Sequence, residues 1–264
     1  MPYVPNDGIT VESDGPVRIV TLNRPETRNA ATQDIKDGLV KVWDNLADDL
    51  DVGGVVLTGA GSAFSAGGDI LNFPNVAADG EYRRRIRLRN ARRIIDSMTT
   101  FPLPLVIAVN GPAVGLGASL ASLGDYTYAA ESAFFADPHV SIGLVAGDGG
   151  AALWPLMMSL MRAKAYILTG DRIPAREAER IGLINEVVPD DELMPKALAM
   201  AHRLAAQPRQ AFQETKKALN LHIQRAAFGV LDVAMTAESE SFLTEDNKRK
   251  VQEFIDRAKE KERG

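Results

Sequence analysis

The chain reads as an α/β core followed by a helical C-terminal region. Three observations predict this class. Short β-branched runs alternate with helically spaced apolar residues through the first two-thirds of the 264 residues. Strand signals stop at about Asp191, and only helical patterns follow. A composition of 45% hydrophobic and 25% charged residues is that of a globular chain able to bury a substantial core.

The elements follow in order. Val17–Leu22 is a β-branched run ended by Asn23-Arg24-Pro25. Residues 32–48 place Ile35, Leu39, Val42, Trp43 and Leu46 on one helical face. Residues 55–57 with Thr58 form a short buried strand closed by Gly59-Ala60-Gly61. A helix over 82–98, a strand at Leu105–Val109, a short helix over 117–123 and a strand over 125–129 complete the alternation. Such alternation implies parallel pairing with right-handed crossovers. Residues 192–206, 208–221, 224–244 and 246–262 read as consecutive helices, with Pro208 near a helix start. The division is a core over 1–190 carrying the active site and a helical region over 191–264 for oligomer contacts and active-site cover.

Composition excludes several function classes. Zero cysteines remove a disulfide framework and thiolate chemistry. The first eight residues lack a basic stretch and an apolar stretch, so no signal peptide is read there, and no apolar run approaches a membrane span. The expected location is the cytoplasm. A net charge of −5 argues against broad nucleic-acid binding.

Two glycine-rich turns carry the chemical signal. Ala63-Phe64-Ser65-Ala66-Gly67-Gly68-Asp69-Ile70 follows a predicted strand, and its small residues let backbone amides approach a ligand. A plainer reading makes it a strand-to-helix turn with Asp69 as the N-cap. The second turn, residues 109–118, again leads from an apolar strand into a small-residue helix start. Two such turns would converge on one oxyanion. Competing motifs are missing: no complete dinucleotide fingerprint, P-loop or G-x-S-x-G elbow occurs, and His139, His202 and His222 form no H-E-x-x-H.

Leu22-Asn-Arg-Pro25 and Arg28-Asn-Ala30, then A-F-S-A-G-G-D-I and A-V-N-G-P-A-V-G-L-G, resemble the crotonase (enoyl-CoA hydratase/isomerase) superfamily in order and spacing. Residues 167–172, Ala175-Arg-Glu-Ala178 and Gly182-Leu-Ile-Asn-Glu-Val187 extend the resemblance to roughly residues 9–260. The resemblance implies a spiral of ββα units with a C-terminal helical region, assembled as trimers or hexamers. It implies an acyl-CoA-like substrate whose thioester oxygen is held by the amides of Ala66 and Leu116. It also implies CoA contacts from Arg28, Ala30, Ser65, Ala66, Gly67, Gly68, Asp69, Ile70 and Gly115. No metal or redox cofactor is implied, and CoA would belong to the substrate.

The sequence departs from the family where hydratases carry two catalytic glutamates. Those positions fall on Ser119 and His139. His139, followed by Asp148 in a Gly-Asp-Gly turn, would supply acid-base function instead, the carboxylate fixing the imidazole tautomer. Asp137 competes with Asp148 as the partner, and the sequence does not rank them. Plainer roles are a helix cap for Asp148, a structural histidine at 139 and simple packing for Ser119. The pattern of His139, Gly147-Asp148-Gly149 and Trp154-Pro155 also resembles the cyclic β-diketone hydrolase branch typified by oxocamphor hydrolase. The alternatives are therefore C–C hydrolysis of a cyclic β-diketone or β-keto acyl-CoA, and a non-catalytic oligomeric or RNA-binding homologue. A run of arginines over 83–93 is a solvated face, a CoA-phosphate contact or an RNA-binding face.

Overall fold

The computed structural model describes Tyr3 and residues 7–263. Two antiparallel strands open the chain, β1 (Ile9–Asp14) and β2 (Val17–Leu22), followed by α1 (Gln33–Ala47) and β3 (Gly54–Gly59). α2 (Phe73–Ala78) and the long α3 (Glu81–Thr100) lead to β4 (Leu105–Val109), β5 (Ala113–Val114) and α4 (Leu116–Ala121). β6 (Tyr126–Ala130), β7 (Phe134–Ala136), α5 (Gly150–Met157) and α6 (Leu160–Thr169) repeat the strand-strand-helix unit. β8 (Ile173–Pro174), α7 (Ala175–Ile181) and β9 (Glu186–Val188) end the core. The helical region comprises α8 (Leu193–Ala205), α9 (Arg209–Ala226), α10 (Asp232–Ser241) and α11 (Glu245–Arg263).

The main sheet has the order β1-β2-β3-β4-β6-β9, and every pairing after β1·β2 is parallel. A second sheet, β5-β7-β8, receives the second strand of two successive units. This is the expected ββα spiral with its helical extension. β3 and β4 are buried along their whole length because helices cover both faces, which is why they read as continuous apolar runs. α1 buries the predicted stripe, and Trp43 packs on Phe101 with ring centroids 5.4 Å apart. α8 lies close on the sheet because Ala197 and Ala201 are small and fully buried.

The helical boundary expected between residues 221 and 224 does not exist. α9 runs through it to Ala226 and continues by a π-helical turn, Ala227–Leu231, into α10. No Gly or Pro stops the helix near 222, so the polar Gln224-Arg225 pair is a solvated face rather than a loop. β1, α2, α5, α6 and the short strands of the second sheet went unread, their apolar patterns being too short for periodicity to speak. Among the described residues no helix is long and apolar enough to cross a membrane.

Candidate active site

The two glycine-rich turns are stitched to each other. Phe64 and Ser65 donate backbone N–H bonds to Pro112 O at 3.1 Å, and Val114 N donates to Ser65 O at 2.9 Å. A Cβ on Gly67 would come within 2.4 Å of Val114 O, and one on Gly117 within 2.6 Å of Ser65 O. Gly67 also has φ +81°, in the region that favours glycine. These glycines are needed because two backbones touch there.

A cavity of about 380 Å³ opens between these turns, α1, α3 and α10. Ala66, Gly67, Gly68, Ile70, Gly115 and Leu116 all line it. The Leu116 amide is the first of α4 and has no acceptor within the helix. The expected partner is different. Ala66 N–H donates to Arg28 O at 2.8 Å and is not available to a ligand. Gly67 N–H is taken by Ser65 Oγ at 3.2 Å. The next amide, Gly68, makes no hydrogen bond among the described residues. The pair facing the cavity is therefore Gly68 with Leu116, which corrects the Ala66 assignment. Arg28 is exposed, and neither it nor Ala30, Ser65 or Asp69 lines the cavity. Arg28 and Ser65 act on the turn itself: Arg28 O holds Ala66, and Ser65 Oγ donates to Asn29 O.

His139 and Asp148 do meet in this cavity. His139 Nε2 lies 3.4 Å from Asp148 Oδ2, while its Nδ1 is 2.5 Å from Asp137 Oδ1. Both candidate carboxylates thus serve one imidazole from opposite ring nitrogens. A Cβ on Gly115 (φ +51°) would sit 3.3 Å from His139 Cε1 and 3.4 Å from Asp148 Oδ2, so the second turn also seats the pair. Asp137 is fully buried, and among the described residues its Oδ2 has no hydrogen-bond partner; a Cβ on Gly150 would come within 2.0 Å of it. Ser119 is more than packing, since its Oγ donates to Asp148 Oδ1 at 3.4 Å. The cap readings fail. Gly149 rather than Asp148 precedes α5, and Asp69 makes no side-chain cap bond. Trp154 is fully buried in the core and does not reach the cavity.

One acid was missed. Glu238 of α10 lines the cavity, with Oε1 3.9 Å from His139 Nε2. The sequence Ala-Glu-Ser-Glu-Ser offers two glutamates on a helix surface and no signal that selects this one.

The cluster is loaded with protons. Burial disfavours charge on His139, yet Asp148, the Asp137 hydrogen bond and Glu238 together raise its pKa to about 10. Burial raises Asp148 to about 6, opposed by His139 and supported by the like charge of Asp137. Burial raises Glu238 to about 8, again against His139 and with Asp148 adding to it. These shifts favour the protonated imidazole, flanked by carboxylates, and the protonated form of Glu238. Asp137, His139 and Asp148 do offer metal-ligand atoms within 4.8 Å of one another. However, an ion can take only one ring nitrogen, and the two aspartates face different ones.

The arginine run divides. Arg83, Arg84 and Arg87 reach the cavity wall and surround Asp79, with Arg87 Nε 2.5 Å from Asp79 Oδ2. Arg85 pairs with Glu81, and Arg92 with Asp96 and Asp232. Arg89 and Arg93 are exposed.

Comparison with known proteins gives the family. The family model described as enoyl-CoA hydratase/isomerase matches residues 12–262. A short-chain-enoyl-CoA hydratase from Clostridium acetobutylicum is 33% identical, covering 96% of each chain. A crotonyl-CoA hydratase from Syntrophomonas wolfei is 32% identical with the same coverage. The crystal structure of an enoyl-CoA hydratase/isomerase from Mycobacterium paratuberculosis superposes with a TM-score of 0.89 at 46% identity, covering 94% of this chain and 98% of that one. This chain belongs to the enoyl-CoA hydratase/isomerase family, within the crotonase superfamily.

Proposed function

We propose that this family enzyme acts on an acyl-CoA thioester through an enolate, with proton transfer by Asp148 and Glu238, both beside His139, in place of the two hydratase glutamates. The observation that carries this reading is that the three groups and the free amides of Gly68 and Leu116 line one cavity. The amides take the thioester oxygen and stabilise its negative charge as the enolate forms. Asp148, with a pKa of about 6, is the base that accepts a proton from water as the water oxygen bonds to Cβ of a 2-enoyl thioester. Glu238, protonated up to about pH 8, returns a proton to Cα. One proton is taken and one is given, so the site is reset by exchange across the cluster. His139, held by Asp137, keeps a positive charge beside both carboxyl groups and lowers both pKa values against the effect of burial.

The cyclic β-diketone reading keeps one supporting observation: an imidazole paired with an aspartate stands where hydratases place a glutamate. Water attack on a ketone would use the same base and the same amides for the enolate leaving group. Turnover in ¹⁸O-labelled water separates the two. Label in a β-hydroxyl means hydration, and label in a new carboxylate means C–C hydrolysis. For the cluster itself, Asp148→Asn is expected to lower kcat about 100- to 10,000-fold on a 2-enoyl-CoA with folding retained. Full turnover in both Asp148→Asn and His139→Ala removes the cluster from the chemistry.

A further inference from the structure

Among the described residues, one cation in the cavity wall has no acceptor. Lys36, on the first turns of α1, lines the cavity, and its ammonium makes no hydrogen bond or ion pair among the described residues. The neighbouring basic groups are provided for: Arg87 and Arg83 face the Asp79 carboxylate, and Arg84 donates to Asp79 O. Burial pushes the Lys36 pKa down and repulsion from Arg87 adds to this, against attraction from Glu238, Asp148 and Asp69. Lys36 is half-buried, and a half-buried ammonium without an acceptor gains from a ligand group that pairs with it, so its place in the cavity wall points to one.

The surrounding wall sharpens the inference. Phe73, Ile86, Ile94, Met235 and Phe242 line the cavity and suit a hydrocarbon chain. Asn90, one turn after Arg87 on α3, also lines it, and its side-chain amide has no hydrogen bond among the described residues. The acid-base cluster does not use Lys36 as its close counterion, because Asp148 and Glu238 both face His139. A neutral acyl chain would leave the ammonium and the Asn90 amide unpaired.

We propose that the acyl pocket accepts a dicarboxylic acyl thioester, with the distal carboxylate bound by Lys36 and Asn90. A carboxylate gives the ammonium a charge-assisted hydrogen bond while the methylene chain lies on the apolar wall. This rests on the thioester reading above, and it selects among the acyl groups such an enzyme would take.

The test is calorimetric binding of saturated thioesters, which cannot be hydrated. Dicarboxylic acyl-CoAs of four to eight carbons are compared with monocarboxylic acyl-CoAs of equal carbon number. At least one dicarboxylic member is expected to bind 10-fold or more tightly than its partner, and Lys36→Met to reduce that ratio to within twofold. Lys36→Arg is expected to restore part of the preference, which a purely structural lysine would not do. Equal binding of both series by the wild-type protein overturns the dicarboxylate proposal alone, as does a preference that survives Lys36→Met. Failure of every thioester to bind overturns the thioester reading and this proposal with it.

Discussion

At the residue scale, His139 and Glu238 retain protons in the folded chain at pH values where the unfolded chain has released them. His139 moves from 6.5 to about 10 and Glu238 from 4.5 to about 8. For the raised imidazole, the stabilisation is complete below pH 6.5 and is lost as pH rises through about 10. For the raised carboxyl, the unfolded chain ionises first, so the folded state loses ground between 4.5 and 8. Both terms have the same sign between 6.5 and 8. The melting temperature followed by calorimetry should therefore fall across that window, and Glu238→Gln should flatten the slope. A wild-type melting temperature that rises there would contradict the assignment. The sequence made the His139–Asp148 encounter legible, because a histidine replaced a family glutamate and a Gly-Asp-Gly turn followed. It left Asp137 and Asp148 unranked because both stand near the imidazole in sequence. The fold uses both, one on each ring nitrogen.

At the scale of elements, the two glycine-rich turns act as one piece. Their small residues were readable as places of close approach, but which amide would be free was not. That depended on Arg28 O capturing Ala66 N–H, a contact between segments 38 residues apart. Gly67→Ala tests the junction: a Cβ 2.4 Å from Val114 O, at φ +81°, must separate the turns. A stability loss of about 1–3 kcal/mol in urea unfolding is expected. Thioester turnover should fall more than tenfold as the Gly68 and Leu116 amides move apart. Helices showed the complementary limit. α1 was predicted to within a residue at each end because its stripe is long and regular. The α9 to α10 junction was misplaced because solvated polar residues look the same in a loop and on a helix.

At the scale of the whole molecule, the C-terminal helices bring residues to the site. α10 brings Glu238, and Phe242 just beyond it meets Phe73 edge-on with centroids 5.1 Å apart. On α11, buried Asn247 donates from Nδ2 to Ile142 O at 2.8 Å, holding the turn that follows His139. Asn247→Ala leaves that carbonyl without its donor and should cost about 1–3 kcal/mol in chemical unfolding. A lowered kcat beside a smaller change in KM is expected from a shifted His139, whereas unchanged kinetics would mean that α11 merely packs there.

The sequence by itself determined the α/β class and the two turns, and its resemblance to crotonases gave the family and the histidine that departs from the hydratase pattern. Those features are local, written in periodicity, glycine placement and residue spacing. Only the tertiary structure decided which amides face the cavity, that Glu238 joins the cluster and that Lys36 stands in the wall without an acceptor among the described residues. Each of these depends on what a segment far away in the chain places beside it. Hydrogen-bond capture, burial and charge coupling act through space, and their outcome exists only once the segments have packed.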